Sequence, residues 1–391
     1  MTAKRSVDVA VVGGGIIGLA HAYHAARQGL TVALFERSPR AVGASIRNFG
    51  MLWPIGQPAG ALHAMAMRSR GHWLDVLRKA GRWHAECGSL HLAYRQDELT
   101  VLEEFADKAS VQGYDCAVLN PAGVRERAPS VQQEGLLGGL WSPTEVCVDP
   151  REVVTTLPGW LQDQYGVQLR FNTAVRHIEP LYLEAGTEVW KAERVYVCTG
   201  DDFQTLYPDI FAASGLTRCK LQMMRTTAYG DRWRIGPMLA AGLTLKHYAA
   251  FRMCDSLPAL RERLNAELPE YDRYGIHVLV SQNGKGEVTL GDTHEYGLEV
   301  EPFDRPHLDD LVLAYLKTFL NIPSLEIAQR WHGVYAKHPE QPYFLAQPAE
   351  GVTIVTGVGG AGMTLSFGLA EAVLSGQAGT TDPVSNLGAS V

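Results

Sequence analysis

The sequence predicts an α/β fold, α+β overall, in which a parallel-sheet domain is interleaved with an antiparallel-sheet domain. Three observations predict it. Val7-Asp8-Val9-Ala10-Val11-Val12 is a nearly continuous apolar run that enters Gly13-Gly14-Gly15-Ile16-Ile17-Gly18, the pattern of a buried strand, a tight turn and a helix. The far end repeats that logic, with a strand at 352–356, a glycine loop at 357–362 and a helix at 363–374. Between the two, 220–324 reads as strand-rich and antiparallel. There 243–251 alternates strongly, and Asn283-Gly284 makes a hairpin turn between 276–281 and 287–290.

The elements follow in order. Helix 16–28 carries Ala20, Ala22, Ala25 and Ala26, small enough for close packing on a sheet. Residues 31–36 form the second parallel strand, ending on Glu36, and 43–50 is too glycine-rich and polar for core. Leu62, Met65, Ala66, Ser69, Trp73 and Leu77 stand at helical spacing over 61–77. A strand at 89–94 precedes an amphipathic helix with Leu99, Leu102, Ala106 and Ala109 on one face. Residues 140–148 read as one strand, and Asp149-Pro150 starts a helix over 151–165. Val167, Leu169 and Phe171 alternate as in a half-buried strand, a later strand ends at Cys198-Thr199-Gly200, and 307–320 is a helix. The first and last segments both meet a ligand, so 1–86, 145–219 and 325–391 form one discontinuous domain, with 87–144 and 220–324 as the second. The small-residue tail after Gly376 is expected to fray.

Bulk properties exclude several classes. A net charge of −7, with no long basic run, argues against nucleic acid. No apolar stretch reaches membrane-spanning length, and Met1-Thr2-Ala3-Lys4-Arg5 is too short for a signal peptide. The cysteines (Cys87, Cys116, Cys147, Cys198, Cys219, Cys254) are scattered without a CxxC, which fits reduced thiols in a cytoplasm better than a disulfide frame or a metal site.

The opening turn carries chemistry. Gly13 allows the turn, Gly15 lets a pyrophosphate approach the backbone, and Gly18 lets helix and strand pack closely. The helix N-terminus presents N–H groups to phosphate, while Glu36 can accept from both ribose hydroxyls and repels a 2′-phosphate, disfavouring NADP. Three further segments favour FAD over NAD: the 43–50 loop, the small-residue turn at 198–200, and the helix-start loop at 357–364, whose dipole suits negative charge on a reduced flavin.

With these motifs the chain resembles the D-amino-acid-oxidase-like family of FAD-dependent amine oxidoreductases, which includes glycine oxidase and monomeric sarcosine oxidase. The resemblance spans nearly the full length and implies a glycine-oxidase-like arrangement: a Rossmann-like FAD-binding domain interleaved with a substrate domain. It implies FAD contacts at Gly13, Gly15, Ile16, Ile17, Gly18, Glu36, Arg37, Ala44, Ser45, Arg47, Asn48, Val175, Thr199, Gly200, Gly360, Gly362, Met363 and Thr364. The string Arg47-Asn48-Phe49-Gly50-Met51-Leu52-Trp53-Pro54 also resembles a bacterial subgroup associated with phosphonate breakdown, thought to oxidise small aminophosphonates such as 2-aminoethylphosphonate or its N-methyl derivative.

Departures from the family pattern bear on the substrate. The cysteine that binds flavin covalently in sarcosine oxidases is missing at Gly333-Val334-Tyr335, so FAD is expected to bind noncovalently. Tyr335 and Thr364 stand where relatives carry carboxylate-gripping arginine and lysine, and Thr289 stands for a lysine that promotes reaction with oxygen. The reaction implied is hydride transfer from the carbon bearing nitrogen to flavin N5, giving an imine that water converts to an aldehyde plus ammonia or a primary amine, with oxygen the expected acceptor. The expected catalytic residues are His247, Lys246 and Tyr335, and the expected substrate contacts are Arg47, Tyr248, Lys337, His338, Thr364 and Trp53. On a strand, alternation separates His247 from Lys246 and Tyr248, leaving open which face lines the pocket. An oxidase of sarcosine, glycine or D-amino acids, or a non-catalytic flavin-binding subunit, is the alternative.

Overall fold

The computed structural model describes residues 5–230 and 233–379; the expectations for the first four residues and for the tail from 380 onward lie outside the described residues. Strand Arg5–Val12 is fully buried over its last four residues, as a strand covered on both faces must be. It pairs in parallel with Val32–Phe35 on one side and Glu188–Val197 on the other. Gln168–Arg170 and Val352–Thr356 extend the parallel core outward on the two sides. Antiparallel Val175–Glu179, Tyr182–Ala185 and Phe344–Ala349 complete an eight-stranded sheet. The parallel core is thus drawn from both ends of the chain.

Helices Ile16–Arg27, Ala61–Lys79 and Gly362–Leu374 pack together on this sheet in one apolar cluster. Gly18 is required there, because a Cβ would lie 2.0 Å from the carbonyl oxygen of Gly13. The Trp73 indole N–H donates to the Met363 carbonyl at 2.7 Å, tying the two later helices. No helix among the described residues is long and apolar enough to cross a membrane.

A nine-stranded sheet forms the second layer. Its backbone is Thr217–Thr226, paired antiparallel along nearly its whole length with Ile327–Lys337. Val288–Gly291 and Glu295–Gly297 lie on its other side, followed by Leu279–Gln282, Met238–Ala240 and Ser89–Ala93. Since Ile327–Lys337 hydrogen-bonds into this second sheet, we propose moving the boundary drawn at 324/325 to follow Lys337.

Two expectations are corrected. Residues 140–148 are not one strand: Gly138–Ser142 belongs to the nine-stranded sheet and Val146–Val148 to a separate three-stranded sheet. Pro143 has no N–H for a ladder, and Glu145 turns inward, where its carboxylate accepts from Ile55 N, Ser89 Oγ and Thr144 Oγ1. Residues 243–251 are not a strand but helix Gly242–His247 and a 3-10 turn Ala249–Met253. A Cβ at Gly242 would meet the Glu98 carboxylate at 2.1 Å, and Thr244 Oγ1 donates to the His277 carbonyl at 2.8 Å, so the chain is pinned into a turn there. Helices Leu257–Glu267, Pro269–Arg273 and Pro306–Phe319 also interrupt the strands of 220–324.

Candidate active site

A cleft enclosing about 1620 Å3, part of it open to solvent, runs between the two large sheets. At one side the opening turn approaches strand Glu188–Val197 so closely that a Cβ on Gly13 (φ +111°) would sit 2.3 Å from the Cys198 carbonyl oxygen. Glu36 is held at the end of its strand, where it accepts from Gly14 N at 2.9 Å through one oxygen and from Ser38 N at 2.9 Å through the other. Ser45 Oγ accepts from Ile16 N at 2.9 Å, and Asn48 staples its own loop through the Ala44 and Ser45 carbonyls and Gly50 N. Neither Ile16–Arg27 nor Gly362–Leu374 carries a side-chain cap from its own N-cap residue; Ser45 takes the first N–H of the former, and the donors beyond it and those of the latter are left for ligand oxygens. Every FAD position expected from the sequence lines this cleft except Gly18, which packs beneath it, and Thr364, which is buried behind it. These residues fit a dinucleotide: backbone donors, glycine clearances and a fixed carboxylate stand where its parts require them.

The opposite wall comes from the second sheet and carries Leu221, Met223, Asp292 and Tyr335. Asp292 is 7% exposed, and its Oδ1 has no partner among the described residues. Burial holds its carboxyl well above the usual carboxylate range. Burial likewise raises the Tyr335 phenol, with Cys219 and Asp292 adding to the effect. The other oxygen of Asp292 faces His277 Nε2 at 3.6 Å and His294 Nε2 at 3.8 Å. The rings of His247 and His277 stack with centroids 3.8 Å apart. His294 Nδ1 lies 2.8 Å from the Gly275 carbonyl, which can only accept, so that nitrogen carries the proton. Burial pushes His247 and His277 well below the ordinary imidazole pKa and His294 down to about 4.

The residues expected at the substrate divide into groups. Arg47 and Tyr335 line the cleft; one Arg47 nitrogen donates to the His332 carbonyl at 3.1 Å. Because 242–247 is helical, Lys246 and His247 both reach an adjoining hollow, which Lys337 also lines. The Lys246 ammonium is engaged by Asp272 and Asn265. Trp53 is buried, stacks on Tyr248 at 6.2 Å and has no acceptor for its indole N–H among the described residues; Tyr248 meets the His277 ring at 5.8 Å. Thr364 Oγ1 accepts from Trp53 N at 2.9 Å. His338 lines neither space, and its Nδ1 accepts from Glu340 N and Gln341 N. Thr289 is likewise outside the cleft lining, its hydroxyl accepting from Arg225 Nε at 3.2 Å.

Sequence reasoning missed Asp292, His277 and His294. Asp292 and His294 are two apart at the end of an extended run, so they share a face, but His277 comes from a separate segment and left no local pattern.

The model of the FAD dependent oxidoreductase family matches residues 8–375, and the chain belongs to that family; its cofactor is FAD. The chain is 28% identical over 210 residues to the tRNA 5-methylaminomethyl-2-thiouridine biosynthesis bifunctional protein MnmC of Nitrosospira multiformis, covering 50% of this chain and 33% of that protein. It is 27% identical over 156 residues to mitochondrial sarcosine dehydrogenase of Mus musculus, 39% of this chain and 17% of that protein. The chain thus spans a third or less of the length of these curated relatives. Among solved structures, L-proline dehydrogenase from P. horikoshii superposes with a TM-score of 0.76 at 20% identity, over 98% of this chain and 96% of that one. Glycine oxidase from Bacillus cereus gives 0.75 at 19%, over 96% of each chain. These structural likenesses establish the shared fold.

Proposed function

We propose that this FAD-dependent oxidoreductase oxidises a small amine, with Asp292 as proton acceptor, and that the substrate is an aminophosphonate. When bound, FAD supplies a two-electron acceptor for the hydride leaving the carbon that bears nitrogen. The observation that carries the reading is Asp292: a buried carboxyl on the cleft wall with one oxygen unpartnered. An ammonium must lose a proton before its carbon can release hydride, and a carboxylate made more basic by burial accepts that proton better than an exposed one. Tyr335, held protonated by its raised pKa, supplies a hydroxyl donor on the same wall. Water then adds to the imine carbon, and the carbon–nitrogen bond breaks to give an aldehyde plus ammonia or a primary amine.

Noncovalent attachment is part of the proposal. The cleft is lined by the Cys198 residue, but its thiol turns to His21 Nδ1, 3.9 Å away, within the core. The phosphonate is favoured over a plain carboxylate because Thr364, at one expected carboxylate anchor, is buried behind the cleft with its hydroxyl accepting from Trp53 N, while His277, which faces Asp292, lines the adjoining hollow with His247 and Lys337. An amino or imino acid is the second reading, favoured by the likenesses to glycine oxidase and sarcosine dehydrogenase.

Anaerobic mixing with 2-aminoethylphosphonate, its N-methyl derivative, sarcosine, glycine and D-alanine tests both. The aminophosphonates are expected to bleach the flavin fastest, and air to restore the colour with release of peroxide. Equal or faster bleaching by sarcosine overturns the aminophosphonate substrate; bleaching by none of the amines overturns amine oxidation. Failure of air to restore the colour excludes oxygen as acceptor.

A further inference from the structure

The hollow beside the cleft encloses about 670 Å3, part of it open to solvent, and shares no lining residue with the cleft. We infer that it is a subsite for a doubly charged tetrahedral oxyanion, a phosphonate or phosphate group, held by His247, His277 and Lys337. Its place at the substrate's far end rests on the reading of Asp292 as the amine's partner.

His277 is the first observation. It is 2% exposed, lines the hollow, and neither ring nitrogen has a hydrogen-bond partner among the described residues, Nε2 facing Asp292 at 3.6 Å. A buried polar atom without a hydrogen bond is costly, so an oxygen-rich ligand there recovers bonds that the protein alone does not make. Charge is the second. Lys337 stands close enough to depress the basicity of all three histidines, and its ammonium lies 3.3 Å from the Tyr296 hydroxyl at the rim. Lys246, the other cation of the hollow, is already matched by Asp272. The remaining acid against the rings, Asp292, stands on the cleft wall and not in the lining of the hollow. The hollow therefore holds an excess of groups that gain from an anion. A dianion reverses the mutual repulsion, lets the imidazoles take up protons and offers three oxygens to donors from three directions; a carboxylate offers two.

The same three imidazoles have nitrogens within 4.8 Å of one another, which raises a divalent cation as the rival occupant. Two features favour the anion. His247 and His277 stack at 23°, so their nitrogens run alongside one another rather than converging on a point. The Lys337 ammonium, in the same hollow, also adds a positive charge that repels a cation bound there. Since Asp292 borders both the cleft and the rings, an oxyanion at His277 lies a short carbon chain from an amine at Asp292.

Titration calorimetry of the FAD-loaded enzyme with inorganic phosphate, methylphosphonate and acetate tests the subsite without turnover. Phosphate and methylphosphonate are expected to bind at least about tenfold tighter than acetate, and His277→Leu and Lys337→Met each to weaken them about tenfold. If His277→Leu loses FAD or melts early, Lys337→Met at the half-buried rim decides. Competition between phosphate and 2-aminoethylphosphonate for flavin bleaching assigns the subsite to the substrate; binding without competition assigns it to free phosphate. No preference over acetate, or affinity unchanged in both variants, overturns the subsite. So does phosphate binding that disappears on chelation and returns with zinc, which assigns the histidines to a metal. Oxyanion binding without bleaching by any amine leaves the subsite standing and overturns amine oxidation instead.

Discussion

The cofactor cleft and the histidine hollow are built from different materials. The cleft works through backbone: Gly13 clears a carbonyl, Gly18 clears Gly13, and two helix starts without a cap from their own N-cap residues border it. The hollow works through side chains: His247 from a helix end, His277 from just before a strand, Lys337 from a long strand across the sheet, with Asp292 at the end of a neighbouring strand reaching His277 from the cleft side. Backbone recognition tolerates almost no added atom but asks little of any one side chain. Side-chain recognition is the reverse, and each variant below strikes one material and not the other.

The largest effect is expected at Gly13→Ala. Its φ of +111° is strained for any L residue, and the Cβ would lie 2.3 Å from a carbonyl oxygen and 2.9 Å from its carbon, both backbone of Cys198 that cannot swing aside. The protein should purify without flavin colour and be less stable by about 3 kcal/mol or more. Gly159→Ala is the control, since a Cβ there meets nothing within 4 Å and the residue lies outside the cleft lining. A Gly13→Ala protein that keeps full FAD absorbance breaks the backbone half of the comparison. Next in size, Asp292→Asn should retain FAD but slow flavin bleaching about 100- to 1000-fold. The acid limb of the rate profile, rising with pH through the elevated Asp292 pKa as the carboxylate forms, should vanish with it. A variant that bleaches at the original rate removes Asp292 from the chemistry.

The same difference explains what the sequence made legible. A backbone site leaves a local motif, because the glycines must be consecutive or nearly so; the strand ending in Val12, the turn and Glu36 were readable in one pass. The hollow left no motif, since its members are scattered over 247–337 and meet only through pairings such as Leu279–Gln282 with Val288–Gly291. The misreading of 243–251 has the same root. Leu243, Leu245 and His247 alternate, yet Leu243 and His247 are also four apart, so the pattern satisfies strand and helix alike. Contacts of Gly242 with Glu98 and of Thr244 with His277 decided it, and both are tertiary.

A smaller effect is expected from acid. His294 titrates near 4 in the folded protein, chiefly because it is buried, and near its ordinary value of about 6.5 when unfolded. In that window the unfolded chain binds more protons, so stability falls as pH drops from about 6.5 toward 4. His21, beside the cofactor turn, is also pushed down to about 4 by burial, so the whole-protein melt reports both regions. The difference between the original protein and His294→Asn isolates this residue: the variant should lose less stability between pH 7 and pH 5, by up to about 2 kcal/mol. Thermal melts at pH 7 and pH 5 measure it. Parallel loss in both proteins places the acid sensitivity elsewhere.

The smallest effect falls on a side chain at the cleft itself. Arg37 lines the cleft and pairs with Asp202 at 2.6 Å, but its side chain is 62% exposed. An exposed pair of this kind contributes on the order of 0.2–1 kcal/mol, because water screens the charges and ordering the long side chain costs entropy. If backbone holds the dinucleotide, Arg37→Ala should weaken FAD binding by no more than about fivefold. The loss should shrink further in high salt, as screening removes what remains of the charge. Fluorescence titration of flavin-stripped protein at low and high ionic strength reads both. A loss well beyond tenfold that persists in salt would mean that a side chain grips the cofactor, and the cleft would then resemble the hollow it adjoins.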